Sequence, residues 1–211
     1  LGGTLPNGVL FTGPPGTGKT ATARALAKKL GWAFLPATGA DLARDPKSLD
    51  KLYAKAKDLR PTIIFIDEGD ELLLTREYSS NTEGTNKLLT LMDGVGDRVH
   101  DVVWVAATNH PERIDAALLR GGRFTEKVRF TKPSAAALSK FVAGWFQSRD
   151  VVLSSDLMPD QVAAVIGDES IANAEAVLQA AVNRAVSRRE EPMVVTAADV
   201  EHAKRLVLSE P

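Results

Sequence analysis

The chain has 211 residues, 26 Lys and Arg against 27 Asp and Glu, and a formal net charge of −1 at pH 7. That balance gives no electrostatic case for a nucleic acid or an anionic membrane as the main partner, and the lack of any cysteine excludes disulfides, zinc ribbons and thiol nucleophiles. No apolar run approaches the roughly 20 residues of a membrane-spanning helix, the opening LGGTLPNG is no signal peptide, and a start at Leu1 reads as a piece of a longer protein, with any anchor left outside it.

Up to about Phe130, short apolar runs alternate with helical patterns. The runs are Val9 to Phe11, Ala33 to Leu35, Ile63 to Ile66, Val102 to Ala107 and Val128 to Phe130. The third and fourth are continuously apolar, as expected of strands buried on both faces of a parallel sheet. Helices are predicted over Lys19 to Leu30, Pro46 to Leu59 and Asn86 to Met92. Strand–helix alternation of this kind predicts an α/β fold, a parallel sheet with helices on both faces. After Thr131-Lys132-Pro133, a natural hinge, only helical periodicity remains, over Ser134 to Gln147, Met158 to Ile166, Ile171 to Arg188 and Ala197 to Val207. Thr196 with Asp199 three residues on makes a capping-box start for the last. The expected organisation is a large α/β domain over 1–132 and a small all-α domain over 133–211.

Residues 13 to 20 read GPPGTGKT, the G-x-x-x-x-G-K-[ST] pattern of a P-loop. Gly13 and Gly18 let the backbone turn its N–H groups inward toward phosphate oxygens, Lys19 brings positive charge to the β and γ phosphates, and Thr20 offers a hydroxyl to magnesium. A strand runs into the loop and a helix runs out of it, with the positive end of the helix dipole aimed at the same anion.

The run Ile63 to Ile66 ends in Asp67-Glu68. At the carboxyl end of a strand in an open α/β sheet, Asp67 is placed to hold magnesium and Glu68 to polarise a water behind the γ-phosphate. The alternative is a capping pair for the helix that follows. Val102 to Ala107 ends in Thr108-Asn109-His110, where Asn109 is either a turn former or an amide beside the attacking water. The Asn-Lys-x-Asp guanine motif is missing, because Asn86-Lys87 is followed by two leucines, which favours ATP. The three histidines show no metal-ligand spacing, and no HExxH motif occurs.

Taken together, LPNGVLFTGPPGTGKT, IIFIDE, LMDG at Leu91 to Gly94 and VVWVAATNHPERIDAALLRGGRF at 102 to 124 resemble the AAA family of the AAA+ ATPases, in order and spacing, over nearly the whole chain. The resemblance implies a P-loop NTPase sheet with a C-terminal helical lid. It implies contacts to ATP from Gly13, Pro14, Pro15, Gly16, Thr17, Gly18, Lys19, Thr20, Ala21 and Ala172, and Mg2+ held by Thr20 and Asp67. Glu68 and Asn109 become catalytic, the latter as sensor 1. Arg120 and Arg123 match paired arginine fingers that act on nucleotide held by the neighbouring subunit. The implied assembly is a homo-oligomeric, hexameric ring that remodels a macromolecular substrate, most simply a protein, in or facing the cytosol. The alternative is an ATP-binding regulatory or scaffolding module with weak hydrolysis.

Three departures stand out. Ser170-Ile171-Ala172-Asn173 keeps only Ser170 and Ala172 of the Ser-Gly-Ala-Asp that opens the lid helix in relatives. Trp145 falls where many relatives have histidine, either stacking on nucleotide or packing. Between Ala33 and Leu59, the aromatic pore loop of AAA unfoldases is replaced by the shorter Gly39 to Ser48, read as a loop in which Leu42 and Arg44 remain able to touch a substrate.

Overall fold

The structure is a computed structural model, and it describes residues 4–74, 83–94 and 99–209. It divides into two compact units, one of residues 1–14 and 18–130, the other of residues 15–17 and 131–211.

The first unit runs β1 (Gly8–Thr12), α1 (Lys19–Leu30), β2 (Ala33–Thr38), α2 (Gly39–Arg44), α3 (Lys47–Asp58), β3 (Thr62–Asp67), α4 (Asp70–Leu73), α5 (Glu83–Asp93), β4 (Val102–Thr108) and β5 (Phe124–Arg129). The five strands form one parallel sheet in the order β2-β3-β4-β1-β5, with helices on both faces. Strand side chains alternate between faces, and the two cores follow that alternation. Phe11, Ile63, Phe65, Val103 and Val105 pack with Ala23 and Ala27 of α1 on one side. Leu10, Ile64, Ile66 and Trp104 pack on the other with Leu42 of α2, Leu49 of α3, Leu72 of α4 and Leu88 of α5. Burying each such large side chain contributes about 1.5–3 kcal/mol, so β3 and β4, covered on both faces, anchor the unit.

Two expectations change here. The segment read as a loop from Gly39 begins with a helix, α2, capped by the Thr38 hydroxyl accepting from Asp41 N–H at 3.2 Å. Leu42 is consequently core, at 3% exposure, and does not face a substrate, whereas Arg44 is exposed. The last strand lies at Phe124–Arg129 and not at Val128 to Phe130. It is an edge strand with only Phe124 buried, so its apolar signal is weak.

The second unit holds α6 (Ala135–Gln147), α7 (Pro159–Ile166), α8 (Ile171–Arg188) and α9 (Ala197–Leu208) around a core that includes Val142, Trp145, Val162, Val177, Leu178 and Val200. Ser134, Ser170 and Thr196 cap α6, α8 and α9 through their hydroxyls, and Thr196 with Asp199 forms the expected capping box. Trp145 is packing: it is buried, meets Phe146 edge-on, and carries the Arg149 guanidinium 4.2 Å above its ring. The Ala172 N–H donates to the Gly16 carbonyl at 3.0 Å within this unit.

Candidate nucleotide site

The chain leaves β1 toward β2 at one edge of the sheet and leaves β4 toward β5 on the other side, so β1 and β4 flank the switch point where open α/β sheets bind ligands. Thr12 and Thr108 pair at the carboxyl ends of these strands. The loop after Thr12 is pinned there, since Gly13 N–H donates to Thr108 O at 3.3 Å. Gly13, Gly16 and Gly18 have φ of 142°, 72° and 91°, which side chains rarely adopt. A Cβ on Gly13 would also run into the Phe130 carbonyl, whose carbon would lie 2.9 Å away.

Gly18 is the residue before α1, and no side chain caps that helix, nor does any acidic residue occupy its first turn. Twelve residues of aligned peptide dipoles therefore end in open N–H groups facing the loop. Lys19 is buried there, and its Nζ donates to Gly13 O at 2.7 Å, Pro14 O at 2.9 Å and Asn109 Oδ1 at 2.8 Å. Burial lowers its pKa from the usual lysine value, with the nearby Asp67 and Asp70 charges opposing the shift. The Thr20 hydroxyl donates to Asp67 Oδ2 at 2.7 Å, and Glu68 N–H donates to Asp67 Oδ1 at 3.0 Å. Glu68 is exposed.

The ends of β1, β3 and β4 thus carry two neighbouring hydrogen-bonded pairs, Lys19 with Asn109 and Thr20 with Asp67. The residues fit a magnesium–nucleotide pair: a turned loop with an uncapped helix end for phosphate, and a hydroxyl and carboxylate already at 2.7 Å for a hard cation. Among the described residues no group of three or more His, Cys, Asp or Glu side chains could hold a metal ion, and no described helix is long and apolar enough to cross a membrane.

Two supporting contacts escaped the motif reading. The Thr108 hydroxyl donates to Asp70 Oδ1 and accepts from His110 N–H at 2.9 Å, which ties the ends of β3 and β4 together beside Asn109. Arg123 forks onto Asp93, Nε to Oδ1 and Nη2 to Oδ2 at 2.7 Å each, and its Nη1 donates to Ala117 O at 2.7 Å. The hydrogen bond from Arg123 pulls the Asp93 carboxyl below its ordinary pKa. Arg120 is exposed. Asp70 stands three residues after Asp67, a visible carboxylate, but its partner lies 38 positions on and no local signal links them.

Residues 9–132 match the profile of the ATPase family associated with various cellular activities, AAA. The chain is 34% identical over its full length to 28% of a protein named ATP-dependent zinc metalloprotease FtsH from Mycobacterium leprae. A protein of that name from Thermobaculum terrenum is 38% identical over 78% of the chain and 27% of its own length. One named FtsH 1, from Salinibacter ruber, is 43% identical over 63% of the chain and 21% of its length. The chain therefore spans less than a third of the length of these curated relatives.

Proposed function

This chain belongs to the AAA family of ATPases, ATP-hydrolysing enzymes, and we propose that it hydrolyses ATP within a ring-shaped homo-oligomer, a hexamer in the complete protein, to remodel a protein substrate. The group at the ends of β1, β3 and β4 carries the reading: Lys19 held between loop carbonyls and Asn109, with Thr20 on Asp67, under an uncapped helix end. Names of the relatives support a protein as substrate, since each is called a protease. Residues 133–211 serve as the lid domain of the same module, with Ala172 on the nucleotide side, and the ATPase faces the cytosol.

In this mechanism the loop N–H groups and Lys19 bind the phosphates, with Lys19 exchanging two of its internal acceptors for oxygens of the β and γ phosphates. Thr20 and Asp67 hold magnesium, which neutralises charge on the phosphate oxygens. Glu68 takes up a proton from the attacking water, and Asn109 orients that water against the γ-phosphate. Arg120 and Arg123 reach the nucleotide of the next subunit, with Arg123 aimed by its fork on Asp93.

Mixing variants tests this. Arg123→Ala should leave nucleotide affinity nearly intact and lower turnover by about 10³–10⁵-fold. Glu68→Gln should bind nucleotide and not turn it over. Mixed, the two should recover part of the activity, because some interfaces then pair an intact arginine with an intact Glu68. Loss of affinity in Arg123→Ala, or no recovery at any ratio, would overturn the finger assignment and leave a passive ATP-binding scaffold as the better account.

A further inference from the structure

Glu68 adopts φ 47°, in the left-handed region where a long non-glycine side chain is strained. Such a conformation persists only where its surroundings over-determine it, and three contacts do so here. Glu68 N–H is held by the Asp67 carboxylate, and the next N–H, of Gly69, donates to Ala107 O of β4 at 2.8 Å. The third contact is Gly39, brought alongside by the pairing of Thr38 with Asp67. A Cβ on Gly39 would overlap the Glu68 carbonyl oxygen and stand 2.8 Å from Gly69 Cα. Both are backbone atoms, which cannot swing aside as a side-chain tip can. Gly39 is the first residue of α2 and its φ lies outside the left-handed region. The position therefore uses glycine for space and not for backbone freedom.

We propose that Gly39 is a positioning residue for ATP hydrolysis: its missing side chain seats the Glu68–Gly69 peptide against the corner between β2 and α2 and so fixes where Glu68 presents its carboxylate. The inference rests on the reading of Glu68 as the residue that activates water. A methyl group at 39 displaces that peptide, and a misplacement of about 1 Å at a reacting group costs on the order of 10²-fold in rate. The phosphate contacts of Lys19 and Thr20 do not pass through Gly39.

Steady-state ATP hydrolysis and fluorescent-nucleotide binding by the assembled protein test it, with Gly39→Ala, Gly69→Ala, Gly84→Ala and Glu68→Gln in parallel. Gly39→Ala should lower kcat by about 10- to 100-fold and leave KM and nucleotide affinity within about twofold. Gly69→Ala pushes the same peptide from its other side, since its Cβ would meet Ala107 O at 3.1 Å and Leu73 Cδ1 at 2.8 Å. It should show a loss of the same kind, and it carries the test if Gly39→Ala does not fold. Gly84→Ala crowds the movable Leu72 Cδ1 at 2.8 Å, reaches α2 only at ordinary contact distance and meets no atom of Glu68 among its three nearest neighbours, so it should keep kcat within about twofold of the parent. Unchanged kcat in both Gly39→Ala and Gly69→Ala, with Glu68→Gln inactive, overturns the inference and spares the role of Glu68. Parental turnover in Glu68→Gln overturns that role itself. An equal loss in Gly84→Ala, or a matching loss of nucleotide affinity in Gly39→Ala, reduces Gly39 to support of the fold and also overturns the inference.

Discussion

Lys19 and Asp199 are both ionisable side chains taken almost wholly out of water, at 9% and 1% exposure, and their surroundings treat them in opposite ways. Asp199, in the helical unit, faces two arginines: its hydrogen bonds all fall on Oδ2, and Oδ1 has only the Arg184 guanidinium beside it. Arg188 hydrogen-bonds it, Arg184 Nε lies 3.3 Å away, and Thr196 donates from N–H and hydroxyl at 2.9 and 2.8 Å. Burial alone would raise the Asp199 carboxyl, but the hydrogen bonds from Arg188 and Thr196 together outweigh it and hold the pKa low. Lys19 has hydrogen bonds only to two peptide oxygens and an amide oxygen, and it makes no ion pair among the described residues. A buried cation with neutral acceptors alone burdens the fold and attracts an anion. One cluster completes a structure, and the other is left electrically open for a ligand.

The sharpest test of that contrast is Lys19→Met. Nucleotide affinity should fall by about 10²–10⁴-fold, the worth of two charge-assisted hydrogen bonds at roughly 1.5–3 kcal/mol each. The melting temperature without nucleotide should hold or rise, because a buried cation with no ion-pair partner among the described residues, only partly offset by the Asp67 and Asp70 charges, is gone. A variant that binds poorly and also melts well below the parent would break the comparison. Asp199→Ala should do the reverse, keeping the phosphate loop intact and destabilising the helical unit. Breaking a buried pair costs about 3–5 kcal/mol, and the solvent reach of Arg188 and Arg184, 24% and 41% exposed, reduces this to about 2–4 kcal/mol in urea unfolding.

The smallest effects are in pH dependence, and the two residues should bend it at opposite ends. The Lys19 pKa is lowered in the fold, so between that value and 10.5 the unfolded chain binds more protons and stability from this group rises with pH. The Asp199 pKa is depressed, so its contribution is full above the ordinary carboxylate value of 3.8 and is lost as pH falls through the folded value. Subtracting the Lys19→Met and Asp199→Ala unfolding curves from the parent curve, pH by pH, isolates each slope. A Lys19 difference that falls with rising pH would show that its charge is compensated.

What could be read from the residues depended on how local each signal was. The strands β3 and β4 announce themselves because both faces are buried and the runs are unbroken, and the phosphate loop because its glycines and Lys19-Thr20 are contiguous. Ser170 and Thr196 likewise mark their helices from within four residues. α2 was missed because its one apolar anchor, Leu42, gives no periodicity, although Thr38 and Asp41 stand at capping distance. β5 was misplaced because Glu126, Lys127 and Arg129 on a sheet edge hide it, leaving Val128 as the visible apolar residue. In the site, Asp70 with Thr108 and Asp93 with Arg123 are contacts across 38 and 30 positions. Strand order creates them, and no spacing along the chain carries that order.

The single anchor of α2 has a kinetic side. Leu42 seals the helix into the core, and α5 packs beside it at Gly84, where an added Cβ would meet Ala43 Cα at 3.4 Å, an ordinary contact distance. Lifting α2 away exposes mainly that one leucine, which by area costs about 2–3 kcal/mol and sets an open population near 1%. The Asp45 N–H, bonded to Asp41 O at 3.0 Å, should therefore exchange with solvent deuterium by local opening, far faster than the amides of β3 and β4. Six residues beside Glu68 would then breathe on their own timescale while the sheet beneath them stays closed.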